Sequence, residues 1–173
     1  ANNQASYDFI GFVRLVNTKE TKLGVTNTSE IVAYNNSNGL PSISRTIVAG
    51  GKKLLTKTTY AHDCATYSAA MGPDGTHILT APAQVVVYEK AANDNTTTVV
   101  PTEVRSANVT SYSNTLGNNI WMPWKDYKWK ADIKSDGTPD KTYADFLFTP
   151  GATNPNWICI NTIERCAKDN KIV

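Results

Sequence analysis

The chain has 173 residues, of which 17 are basic and 15 acidic, giving a net charge of +2 with only 18% of positions charged. A chain of this length fits one domain, residues 1–173, with a real hydrophobic core. The charge balance excludes a basic excess able to drive phosphate-backbone binding, an acidic tail and the composition of a disordered polymer.

Thr occupies 22 positions and Asn 17. Thr favours strands, Asn favours turns and tolerates positive φ, and helical propensity is weak nearly everywhere. Low charge with abundant Asn and Thr accompanies extracellular and virion-surface β proteins, and the expected location is extracellular, cell-surface or virion. No run of about 18 apolar residues is present, so no helical membrane span is expected. Nor does a charged segment followed by an apolar one open the chain. Ala1 therefore follows either a removed signal peptide or a removed Met, and both routes stay open.

Alternation of apolar and polar residues dominates the chain. Residues 7–16, with Phe9, Ile10, Phe12, Val13, Leu15 and Val16, predict an apolar opening strand. Before it, residues 1–6 form a polar arm that could engage a partner. Residues 31–34 predict a short strand, ended by the loop 35–39. Residues 42–48 and 53–60 flank Ala49-Gly50-Gly51 and read as a hairpin. Residues 61–71 are the first place where a helical turn fits. Residues 84–90 (Gln-Val-Val-Val-Tyr-Glu-Lys) are the clearest strand in the chain.

A loop at 91–96 leads to strands at 97–100 and 103–112, with a turn at 113–119. Residues 127–133 and 141–148 flank a Lys-Ser-Asp-Gly-Thr-Pro-Asp loop and predict a hairpin. Residues 157–165 predict a last strand. About nine or ten short strands result, and the expected fold is all-β, an antiparallel β-sandwich or jelly-roll-like domain, because a sheet with one apolar face needs a second layer.

Three cysteines, Cys64, Cys159 and Cys166, make an odd count. Cys159 and Cys166 could close a short loop, Cys64 could staple distant segments to either, or all three could be buried thiols. Sequons at Asn27, Asn35, Asn95 and Asn108 matter only in a eukaryotic secretory pathway.

Catalytic material is scarce. His62, Asp63 and Cys64 are adjacent, but on a strand His62 and Cys64 share a face while Asp63 points away, so a relay among them needs a turn. His77 sits near Asp74 without any zinc-type dyad. The loop aspartates Asp74, Asp94, Asp136 and Asp140 could serve a hard cation, though such residues ordinarily make Asx turns. Gly50-Gly51-Lys52-Lys53 lacks phosphate-loop spacing. Asp63, Glu89, Glu103, Asp126 and Asp145 are unranked candidates for paired carboxylates. No metal or other cofactor is called for.

The most distinctive run is 118–130, which holds three of the four tryptophans. Trp121, Trp124, Tyr127 and Trp129 are the candidate binding residues, since aromatic rings on a β surface stack on sugar rings or bases. The same rings could equally form core or subunit interface. Two functions follow. The first is a non-enzymatic structural subunit that self-assembles, as in a pilus, filament or capsid, with copies of itself as partners. The alternative is a carbohydrate-binding, lectin-like module. Nucleic acid is not expected as a specific ligand.

Overall fold

The Val-rich run expected at 84–90 lies at the centre of the sheet, and the architecture is built outward from it. The computed structural model describes residues 15–22, 25–48, 50–114, 120–130 and 142–163. Eight strands are present among them: β1 (Asn17–Lys22), β2 (Val25–Tyr34), β3 (Pro41–Ile47), β4 (Lys53–Tyr60), β5 (Pro82–Lys90), β6 (Val104–Ser113), β7 (Met122–Trp129) and β8 (Trp157–Thr162). Each pairs antiparallel with its neighbours in chain order, giving one up-and-down sheet. Strands consecutive in sequence commonly lie side by side, and here they do so even across the long connections 61–81 and 130–156. Between β4 and β5 the chain forms a 3-10 turn (Ala61–Asp63) and the helix α1 (Ala65–Met71).

Alternation then sorts the side chains. In the register Leu55↔Tyr88, Val86↔Ala107 and Val109↔Tyr127, opposite residues share a face. That face holds the main core, in which Leu55, Val86, Tyr88, Val104, Ala107, Val109 and Trp129 pack under Tyr143 and Phe146 from the segment before β8. Leu55, Val104 and Val109 are fully buried, each contributing about 1.5–3 kcal/mol of hydrophobic stabilisation. A second cluster, Ala61, Cys64, Tyr67, Met71, Ala83 and Tyr112, packs α1 onto one end of the sheet, and Phe148 touches both clusters.

Two lysines occupy cross-strand positions on the core face, Lys53↔Lys90. Both are buried, and buried ammonium groups need full pairing. The chain after β5 supplies it. Lys53 Nζ donates to the Ala92 carbonyl at 2.6 Å and to Asn95 Oδ1 at 2.6 Å. Lys90 Nζ lies 2.6 Å from Glu103 Oε2 and 3.4 Å from Asp94 Oδ2, and donates to the Thr98 carbonyl. This network folds residues 91–103 back over the sheet, where Val99 joins the core margin.

The opposite face carries Thr46, Thr56, Thr58, Val85, Val87, Ser106, Asn108, Thr110 and Lys128, all half-buried or exposed. Cross-strand polar pairs run over it, including Ser29 Oγ to Thr46 Oγ1 at 3.1 Å and Thr110 Oγ1 to Asp126 Oδ1 at 2.8 Å. Glu89 binds Lys52 at 2.8 Å and Arg105 at 2.7 Å there.

The antiparallel all-β expectation holds; the layering differs. The described residues form one eight-stranded sheet, not two facing sheets of a sandwich, and the layer over its apolar face is irregular chain plus α1. β1 and the first half of β2 are strands the hydrophobic pattern does not reveal, because Asn-Thr-Lys-Glu-Thr-Lys carries no apolar residue and pairs through its backbone and a Thr21–Thr26 hydroxyl contact at 2.9 Å. Residues 97–100 are not a strand, since the lysine network holds this stretch off the sheet plane. Residues 142–148 are not the second arm of a hairpin: β7 pairs with β8, Lys128↔Ile158 and Trp129↔Trp157. The arm at 1–6, most of the expected opening strand and the loop 134–140 lie outside the described residues.

Candidate functional site

The run around Trp121 forms a cleft because β7 is irregular. Ser111 pairs with Lys125 and Tyr112 with Pro123, which leaves Trp124 as an extra residue with no opposite number. A bulge of this kind re-aims its side chain. Trp124 is accordingly exposed at 41%. Trp121 enters from just before β7, and Tyr127 lies on the core face one turn of alternation further on.

These three residues line a cleft of about 400 Å³ together with Thr66 and Tyr67 from α1, Ser111 to Asn114 from the end of β6, and residues 146–152 and Asn154. The aromatic wall is continuous. Tyr67 packs edge-on against Trp121 at 5.8 Å and Phe148 at 5.7 Å, Phe148 meets Phe146 at 5.1 Å, and Phe146 meets Tyr127 at 4.8 Å. Edge-to-face pairs at these separations are attractive beyond simple area burial. Asn154 shapes the far side by accepting from the Leu147 N–H at 2.8 Å and donating to the Leu147 carbonyl at 3.0 Å.

Electrically the cleft is neutral: among the described residues no Asp, Glu, Lys, Arg or His lines it. Tyr67 accepts the Tyr112 N–H at 3.1 Å, and Tyr112 donates to the Pro82 carbonyl at 3.0 Å. Burial pushes the Tyr112 phenol up to about 12, and burial likewise raises Tyr67 and Tyr127. All three stay protonated at neutral pH. Trp121, Trp124, Tyr127, Thr66, Asn114 and Thr149 make no side-chain hydrogen bond among the described residues. Lys125 Nζ lies 4.2 Å from the Trp124 ring centroid, a cation–π contact that takes one face of the indole.

Trp129, the fourth candidate, does not line the cleft. It is 4% exposed and packs edge-on against Tyr143 at 5.4 Å in the core, its indole N–H buried without a partner. In the regular part of β7 the period of two places Tyr127 and Trp129 inward, whereas Trp124 has the opposite parity and sits at the bulge, where it lines the cleft beside Tyr127. Tyr67, Phe146 and Phe148 complete the cleft from distant segments. The Phe-Leu-Phe spacing at 146–148 was the available signal, but it reads as an ordinary strand.

The other candidates do not converge on a reaction centre. His62 is buried and stacked on Tyr60 at 5.9 Å. Its Nε2 lies 3.2 Å from Asp63 Oδ1, at an angle that makes no hydrogen bond. Asn35 Nδ2 holds Asp63 at 2.6 Å. Cys64 donates to the Tyr60 carbonyl at 3.5 Å, and burial, reinforced by Asp63, pushes its thiol up to about 11. A protonated thiol is a poor nucleophile. Cys64 is free and buried and Cys159 free and exposed; Cys166 lies outside the described residues.

Glu89, Glu103, Asp126 and Asp145 each serve separate partners: Lys52 and Arg105, Lys90, Thr110 and Asn161, and Tyr143 with Gln84. Asp94 accepts the Thr96 N–H in an Asx turn. Among the described residues no three His, Cys, Asp or Glu side chains come together as a metal site. Asn35 and Asn95 of the sequons are committed to structural hydrogen bonds, while Asn108 is exposed on the open face.

The sheet's two edges differ. β1 carries Lys19, Glu20 and Lys22, whereas β8 reads Trp-Ile-Cys-Ile-Asn-Thr with no charge and no proline. Ile158 is 46% and Ile160 61% exposed there. Comparison with family models, with curated proteins and with solved structures gives no match.

Proposed function

We propose that the chain is a non-enzymatic structural subunit that assembles with copies of itself into an extracellular or virion structure of the filament or capsid type. The observation that carries this reading is the β8 edge. Soluble proteins blunt sheet edges with charge, proline or cover, because an unprotected edge recruits further strands. β1 follows that rule, and its Lys19 and Glu20 discourage pairing. β8 breaks it with two exposed isoleucines in an uncharged strand. A subunit whose work is lateral contact has reason to keep such an edge strand, the last in the described sheet, uncharged and apolar.

The broad face of Thr, Ser, Asn and Val supports the same reading. It is a stiff, weakly charged surface suited to lie on the inside or outside of a layer. Arg45 pairs with Glu30, Glu89 with Lys52 and Arg105, and Lys90 with Glu103, so several of the described ionisable groups serve as structural pairs.

The test is the size distribution of the purified chain across a concentration series, by light scattering and electron microscopy. The wild type is expected to form discrete higher-order particles or filaments, and I158K/I160K to stay smaller at the same concentration. Both side chains are substantially exposed, at 46% and 61%, so the variant's own folding stability is expected to fall little, by under about 1 kcal/mol. A wild type that stays monomeric at every concentration sinks the proposal.

A further inference from the structure

From the geometry of the cleft beside Trp124 we infer a second, independent property: it binds a neutral hexopyranose ring, alone or as the end of a glycan. The argument begins with what the cleft excludes. Among the described residues none of its lining residues is charged, and the Lys125 ammonium already sits on the Trp124 ring, so charged ligands would lose hydration for little counter-charge. A purely apolar ligand fares no better. The lining includes Trp121, Trp124, Tyr127, Asn114 and Thr149, and any of their polar groups that an apolar ligand covered would be left unsatisfied, which is costly.

A pyranose meets both requirements. Its axial C–H face is apolar and matches an exposed indole, while its rim of hydroxyls both donates and accepts. Those hydroxyls complement the indole donors, the phenol, the Asn114 amide and the Thr149 hydroxyl. Trp124 is the stacking residue on this reading. It sits at the bulge, Lys125 occupies one face of the ring at 4.2 Å, and the sugar takes the other. Tyr67, Trp121 and Phe148 form a rigid apolar wall, so little ordering is needed on binding. The volume of about 400 Å³ falls within the small-ligand range of about 300–1,000 Å³. A proline-rich peptide shares the taste for aromatic grooves but brings carbonyl acceptors and almost no donors, so it uses less of the polar lining.

The test is a titration of the full chain with methyl glycosides of glucose, galactose, mannose, N-acetylglucosamine and N-acetylgalactosamine, with a decaproline peptide and glucose 6-phosphate alongside. Tryptophan emission and amide chemical shifts are read together. At least one neutral glycoside is expected to saturate, with shifts mapping to Asn114, Trp121, Trp124 and Thr149. W124A is expected to weaken binding about ten-fold, as for loss of one aromatic contact, and W124F to retain it within about three-fold. T149V, remote from Trp124 in sequence, is expected to weaken binding roughly five-fold while leaving the melting temperature unchanged. The inference is overturned if no neutral glycoside saturates, if W124A and T149V bind like wild type, or if the peptide or the phosphorylated sugar binds this cleft more tightly. None of these results bears on assembly, which proceeds or fails at the β8 edge.

Discussion

Removing the Glu103 carboxylate is expected to destabilise this protein far more than the loss of an ordinary surface ion pair. Lys90 is 4% exposed on its side chain and Glu103 25%. In E103A the ammonium keeps the Thr98 carbonyl and a carboxylate at 3.4 Å, but loses its closest anion. A hydrogen bond to a charged group contributes about 1.5–3 kcal/mol, and stranding a fully buried charge costs about 3–5 kcal/mol. Asp94 supplies partial compensation, so the expected cost is about 2–3 kcal/mol, or roughly 5–10 °C in melting temperature.

K90M removes the charge itself and leaves Glu103 able to turn to water, so its cost is smaller, about 1 kcal/mol. It also relieves repulsion with the neighbouring Lys53. Once Lys90 is gone, Glu103 has nothing to neutralise. The double variant should therefore match K90M, giving a coupling of about 2 kcal/mol in the cycle. Urea unfolding followed by tryptophan emission measures all four proteins. An E103A cost under about 0.5 kcal/mol, or simple additivity in the double variant, would refute the claim that this pair pins residues 91–103 to the sheet.

Other outcomes follow from the same structure. F146A removes the ring that joins Tyr127, Phe148 and Trp157, and is expected to cost about 3–5 kcal/mol, whereas L147A, at an exposed position, should stay within about 0.5 kcal/mol; chemical denaturation of the two distinguishes core from surface. Alkylation at pH 8 followed by peptide mapping should label exposed Cys159 in the native protein and Cys64 only after unfolding, since burial and Asp63 hold that thiol up at about 11. Equal labelling of both under native conditions contradicts this.

Glu89 gives a pH signature. Its hydrogen bonds from Arg105 and then Lys52 hold its carboxyl down to about 2 from an ordinary 4.5. The unfolded chain therefore takes up this proton first as pH falls. The contribution is full above about pH 5 and is lost progressively as pH drops toward 2. Stability measured across that window should fall less steeply in E89Q, and less steeply in wild type at high salt, because both partners of Glu89 are largely exposed.

Much of the sheet was legible in the residues. The Val-rich β5, the Gly50-Gly51 hairpin between β3 and β4, the helical turn near Ala65 and the alternating β8 all follow from local pattern and turn chemistry. Gly50 and Gly51 adopt φ of 85° and 81°, a conformation that glycine reaches without strain. The cleft was half legible. Composition marked Trp121, Trp124 and Tyr127, because aromatic density is a local property.

Tertiary structure decided the rest. Alternation alone puts Trp124 and Trp129, an odd number of residues apart, on opposite faces; that Trp124 nevertheless lines one cleft with Tyr127 goes with a bulge that leaves no mark in composition. The polar β1 is held by backbone pairing that hydrophobic periodicity cannot report. Residues 97–100 have strand-like side chains, but two buried lysines 40 or so positions apart claim their backbone and that of their neighbours. Local pattern set where strands could form; long-range pairing, burial and register set which of them joined the sheet and which side chains gathered at its end.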